Sequence, residues 1–93
     1  MKELEIFYLT GCPYCAMGRR AVEALRGEDP RFAALPLRWI EERQNPEIAD
    51  ARDYYYVPAG FLGGEKLFEA SPSDDYEAIL SKLRGAFLRA VSE

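Results

Sequence analysis

The chain has no histidine and only two cysteines in 93 residues. A structural zinc site draws on four Cys or His ligands, so one copy of this chain cannot complete such a site from those residue types. A disulfide scaffold in a small secreted protein uses more bridges, spaced further apart. Here the cysteines lie three positions apart, and a bridge between them would close too small a loop to add much stability through chain entropy. A pair with so little structural value asks for a chemical explanation. Long apolar runs are also missing, and none approaches the roughly 20 residues of a membrane span. Bases are scarce: 12 Lys and Arg stand against 16 acids, for a net charge of −4. This argues against nucleic acid, whose binders carry a basic excess. The adjacent Arg19 and Arg20 read as the solvated face of a helix. Met1-Lys2-Glu3-Leu4-Glu5 places acids where a signal peptide carries only bases, then runs straight into a predicted strand. No targeting segment is read, and a cytoplasmic monomer with neither membrane nor nucleic acid as partner is expected.

What is present fits one globular domain over residues 1–93, with 48% apolar and 13% aromatic residues. Glu3 to Leu9 reads as a strand that becomes almost wholly apolar, as one buried on both faces does. A helix is expected from Pro13 to about Arg26, with Met17, Ala21, Ala24 and Leu25 as its apolar stripe and Gly27 as its stop. Glu28 to Leu35 reads as a connection with room for a short helical turn. Pro36 to Glu41 reads as a second strand, joined to the first by a right-handed parallel crossover. Asn45-Pro46-Glu47 is a helix start, with the helix ending near Asp53. Tyr54 to Val57 is expected to be extended before Pro58. Gly63-Gly64 between two short apolar segments marks a two-residue hairpin. A last helix is expected from Pro72 or Ser73 to Ala90, capped by Ser71 or Ser73, with Tyr76, Leu80, Leu83, Phe87 and Val91 on its apolar face. The expected order is β-α-β-α-β-β-α, an α/β fold with a four-stranded mixed sheet flanked by helices. Phe7, Trp39, Phe61 and Phe68 are read as core, together with at least one of Tyr54, Tyr55 and Tyr56.

The chemistry falls on Cys12-Pro13-Tyr14-Cys15, where the first strand gives way to a helix. Cys12 takes the N-cap position, where free backbone N–H groups and the positive end of the helix favour a thiolate, the nucleophilic form. Cys15 lies one turn on and is expected to be more buried. Thiol–disulfide exchange uses this asymmetry: one sulfur attacks, the other resolves the mixed disulfide. The alternatives are a zinc half-site completed by a second chain, or two plain core cysteines. Tyr14 is expected to be exposed and able to touch substrate. Arg43 and Arg52 read as solvated arginines that could also reach an anionic substrate.

Cys-Pro-Tyr-Cys resembles the active-site motif of dithiol glutaredoxins, and the element order is similar to their thioredoxin fold. Short bacterial glutaredoxin-like proteins of the thioredoxin family look similar over nearly the whole chain, including Asp53 to Pro58 and the hairpin after it. The resemblance implies a dithiol oxidoreductase with Cys12 and Cys15 catalytic. It implies no bound cofactor or metal, only a redox-active Cys12–Cys15 disulfide served by an external thiol donor. It also implies that Pro58 is cis beside the sulfurs, and that Val57 pairs through its backbone with an extended substrate. Pro13, Tyr14, Val57 and Pro58 are then the substrate-binding residues, and the substrate is a disulfide-bearing protein or small molecule. Two departures bear on the donor. Glutaredoxins commonly carry a lysine where Leu9 stands, and a Gly-Gly pair before the acids where Ser71-Pro72-Ser73-Asp74-Asp75 stands. A thioredoxin-reductase-type donor is therefore expected rather than glutathione. Thioredoxins place a buried acid about where Ile6 stands, so the proton acceptor for Cys15 is left unassigned. Two further readings stand beside the enzyme: a non-catalytic binding module of the same fold, and a thiolate metal or iron–sulfur site shared between two chains.

Overall fold

In the computed structural model, which describes residues 2–93, the sheet is built around the first strand. β1 (Leu4–Tyr8) lies between β2 (Leu37–Glu41) and β3 (Ala59–Leu62), and β4 (Glu65–Glu69) forms the far edge. β1 and β2 run parallel, with Tyr8 opposite Glu41; the β1–β3 and β3–β4 pairs are antiparallel. The architecture is therefore α/β with a four-stranded mixed sheet flanked by helices. The helices are α1 (Pro13–Glu28), α2 (Pro30–Ala34), α3 (Pro46–Asp50) and α4 (Tyr76–Val91). Among the described residues, no helix is long and apolar enough to cross a membrane.

That makes one helix more than the expected order, and the reason is local. Gly27 does not end α1; the helix runs through it to Glu28. The stop is Asp29, held extended at φ −147°, because the ring of Pro30 disfavours helical backbone at the residue before it. The Asp29 carboxylate then accepts from the Arg31 N–H at 2.8 Å and starts α2. Phe32 anchors α2 edge-on against Phe87 of α4, with ring centroids 5.4 Å apart.

Other boundaries moved for similar reasons. α3 ends at Asp50, not near Asp53, and Asn45 gives it no side-chain cap; its amide donates instead to the Glu41 carbonyl at 3.0 Å. α4 begins at Tyr76 and is capped by Asp75, whose carboxylate accepts from the Ala78 N–H at 2.9 Å. Ser71 and Ser73 do not cap it. They lie in a turn closed by Asp74, which accepts from the Ser71 N–H and pairs with Lys82 at 2.7 Å. The hairpin is where the glycines place it: φ is +58° at Gly63 and +86° at Gly64, the pair of positive values that a two-residue type I′ turn requires.

Strand alternation divides the core between two faces. Leu4 and Ile6 point toward α1 and α4, into the larger cluster with Val22, Leu25, Leu83 and Phe87. Phe7 points the other way, into a smaller cluster with Ile40, Ala59 and Phe61 that Ile48 of α3 and Tyr54 cover. On α1 the buried stripe includes Val22, while the expected Ala24 is exposed. Trp39, expected in the core, is only half-buried on the edge strand.

Candidate active site

The chain leaves β1 through a turn at Gly11, whose φ of +84° lies in the region that favours glycine. This turn delivers Cys12 to the N-cap of α1, in extended backbone, with Pro13 at the first helical position. The Cys12 sulfur accepts no capping hydrogen bond and its residue is half-buried. One turn on, Cys15 is 4% exposed. Its sulfur accepts from the Leu9 N–H at 3.4 Å. Burial pushes the Cys15 thiol up to about 12, aided by the adjacent Cys12 sulfur and the charge of Glu42, against the Leu9 N–H. The two thiols are free, close together and unequal in exposure.

Val57–Pro58 is cis. Pro58 is fully buried and packs against α1 at Gly18, one turn beyond Cys15, where an added Cβ would sit 3.0 Å from its ring. The glycine lets the loop approach the helix that carries both sulfurs. The loop itself differs from expectation. Tyr55 to Val57 is bent, and Glu69 grips it by accepting from the N–H groups of Tyr55 and Tyr56 at 2.7 and 2.8 Å. Tyr54 is the core member of the three, 5.1 Å from Phe7 between ring centroids. Its hydroxyl donates to Glu42 at 2.8 Å, while Tyr55 and Tyr56 are exposed. Burial and the Glu42 carboxylate both raise the Tyr54 hydroxyl well above its ordinary value, so it stays a donor.

Tyr14 also departs from expectation. It is half-buried against the core, and its hydroxyl donates to the Pro72 carbonyl at 2.8 Å. This ties the cysteine motif to the turn before α4. Arg52 is not a free surface arginine: it pairs with Glu5 at 2.9 Å. Arg43 is exposed. Asp74 and Asp75 are already engaged, one with Lys82 and Ser71, the other as the cap of α4.

Sequence reasoning passed over Glu41. Among the described residues it is the one charged member of the buried set, 6% exposed, at the C-terminal end of β2. Its carboxylate accepts from the N–H groups of Thr10 at 3.1 Å, Arg43 at 2.6 Å and Gln44 at 3.3 Å. The Thr10 bond staples the loop that leads into Cys12. The signal was in the crossover: parallel β1 and β2 end side by side, so acids closing the second strand meet the loop closing the first. The Thr10 N–H, with those of Arg43 and Gln44, holds the Glu41 carboxyl below the usual carboxylate range despite its burial. A folded value below the ordinary 4.5 means that Glu41 stabilises the fold fully above that pH and loses its contribution as pH falls through the lower folded value. Glu41→Ala is accordingly expected to lower the urea midpoint at pH 7, with the gap to wild type closing in acid. Urea unfolding at neutral pH and at several acid values measures this, and a gap independent of pH would contradict it.

An open cleft of about 360 Å³ lies against the cysteines, walled mostly by apolar surface. Tyr8, Gly11, Cys12, Cys15, Ala16 and Arg19 contribute to it. Among the described residues, no group of three or more Cys, Asp or Glu is arranged to hold a metal ion. No family model matches the chain, and no curated protein matches it.

Proposed function

We propose that the chain is a dithiol–disulfide oxidoreductase of the glutaredoxin-like, thioredoxin-fold kind, in which Cys12 attacks and Cys15 resolves. The observation that carries this reading is the unequal thiol pair at the start of α1. One sulfur stands at the helix N-cap beside an open cleft, and the other is buried one turn behind it. The Pro58 loop packed on Gly18 supports the same reading, since it sits against the helix that bears the sulfurs. The parallel β1–β2 crossover and the β3–β4 hairpin fit that fold.

Exchange then runs as follows. The Cys12 thiolate attacks one sulfur of a substrate disulfide and expels the first thiolate. Cys15 attacks the Cys12 sulfur, closes the Cys12–Cys15 disulfide and releases the second product. The substrate gains two electrons and two protons, and the protein loses the same. In a reducing compartment such as the cytoplasm a thioredoxin-reductase-type donor returns the dithiol. Glutathione is the poorer donor, because Asp74 and Asp75, the acids left to hold its ammonium group, are already satisfied.

The test needs no donor. Reduced protein mixed with an uncharged small disulfide is expected to lose two hydrogens in mass and release two thiols per chain, with Cys12 and Cys15 joined on peptide mapping. Unchanged mass with two free thiols would refute the function.

A further inference from the structure

Arg19 was read as solvated helix surface, and it is exposed, but its head is not loose. The guanidinium lies 4.1 Å from the ring centroid of Trp39 and 4.8 Å from that of Tyr8. The two rings meet nearly at right angles, 6.0 Å apart. Arginine stacked on aromatic faces is held in place while its N–H edge stays available. Among the described residues it forms no ion pair; Glu23, four positions on, does not engage it. The buried acid Glu41 is already satisfied by three backbone N–H groups.

Position matters as much as charge. Seven residues along a helix return to nearly the same face, so Arg19 stands behind Cys12, about 10 Å along the axis of α1. Both line the same cleft. Gly11 leaves its mouth open, with nothing within 4 Å of where a side chain would begin. The cleft does not include Tyr14, Val57 or Pro58, so it is a second flank of Cys12, apart from the Pro58 loop. At about 360 Å³ it is at the small end of the range for small-molecule sites, too small for a folded partner.

We propose that this flank is a specificity subsite for small disulfides bearing a carboxylate, with Arg19 as the group that receives the anion while Cys12 attacks the sulfur. The inference rests on the exchange activity proposed above and names a class of its substrates. The step balances as before. Cys12 forms a mixed disulfide with one acid half and expels the other as a thiolate that takes up a proton. Cys15 then releases the retained half as a second thiol. The dithiol supplies both electrons. The net charge of −4 repels such a substrate at long range, so a local cation at the attacking sulfur decides whether it docks.

The experiment compares reduced protein reacting with the disulfide of mercaptobutyric acid and with its uncharged diamide. Acid-quenched samples are read for the two-hydrogen mass loss. The quantity is the ratio of the two second-order rate constants, acid over amide. Arg19→Gln is expected to lower that ratio about tenfold. Arg19→Lys is expected to keep most of it, which separates charge from ring packing, and Arg19→Glu to lower it further. Salt gives a test on the unmodified protein. If Arg19 governs, added salt lowers the ratio; if only the net charge acts, salt raises it. A ratio within about twofold of wild type in both Arg19→Gln and Arg19→Glu, or a ratio that rises with salt, would overturn the subsite while leaving the exchange activity intact. No reaction with either compound would overturn the activity and the subsite together.

Discussion

Cys12→Ser is expected to abolish disulfide exchange, by about a thousandfold or more, because a serine hydroxyl at neutral pH is not a comparable nucleophile. Cys15→Ser is expected to behave differently. Its Cys12 still attacks, but nothing resolves the product, so a covalent adduct between Cys12 and one half of the substrate accumulates. The structure gives the reason for assigning the roles this way round. Cys12 is reachable at the N-cap, whereas Cys15 is 4% exposed and its thiol is pushed up to about 12 by burial. Intact mass after mixing with a small disulfide distinguishes the two variants: no adduct for Cys12→Ser, one adduct per chain for Cys15→Ser. The reverse pattern would exchange the roles, and equal inertness would count against catalysis by the pair.

The largest effect on stability is expected at Gly60. It faces Phe68 across the β3–β4 pair, and the ring lies over it so closely that an added Cβ would meet ring carbons at 2.3 and 2.6 Å. Phe68 is 6% exposed, so its ring has little room to retreat. Gly60→Ala is expected to cost about 3 kcal/mol, and to lower the melting temperature by roughly 12–24 °C for a domain of this size. Gly85→Ala makes the same chemical change in the interior of α4, where nothing lies within 4 Å. There it is expected to stabilise by about 0.5–1 kcal/mol through helix propensity. Opposite signs in one thermal-unfolding series would tie the loss at Gly60 to the ring rather than to alanine itself. Phe68→Leu in the Gly60→Ala background should recover part of the loss.

Much of this was legible in the sequence because it is local. The cysteine spacing, Pro13 at the helix start, and Gly63-Gly64 at the hairpin each speak through neighbours within four positions. Asp29-Pro30 was legible too, but Gly27 drew attention from it: a glycine permits a helix end, whereas the residue before a proline is pushed out of the helix. Ser71 and Ser73 competed with Asp74 and Asp75 for the cap of α4, and only the tertiary pairing of Asp74 with Lys82 decided among them. Glu41, Glu42 and Arg19 could not be read at all from near neighbours. Glu41 matters because β2 lies parallel beside β1, Glu42 because Tyr54 reaches it from twelve positions away, and Arg19 because Trp39 lies across the sheet edge. Each is an ordinary surface charge until distant strands are brought into register.

The strand made first is one of the two that have a neighbour on each side. On the ribosome Leu4–Tyr8 exists long before Leu37–Glu41, and Ala59–Leu62 comes later still, yet β1 lies between the two. Its pairings must wait for long loops to close, which delays their reward. The sheet face of Leu4 and Ile6 is covered in part by Val22 and Leu25, and completely only when Leu83 and Phe87 have emerged. A nascent chain halted before them presents bare apolar surface of the kind that holding chaperones bind.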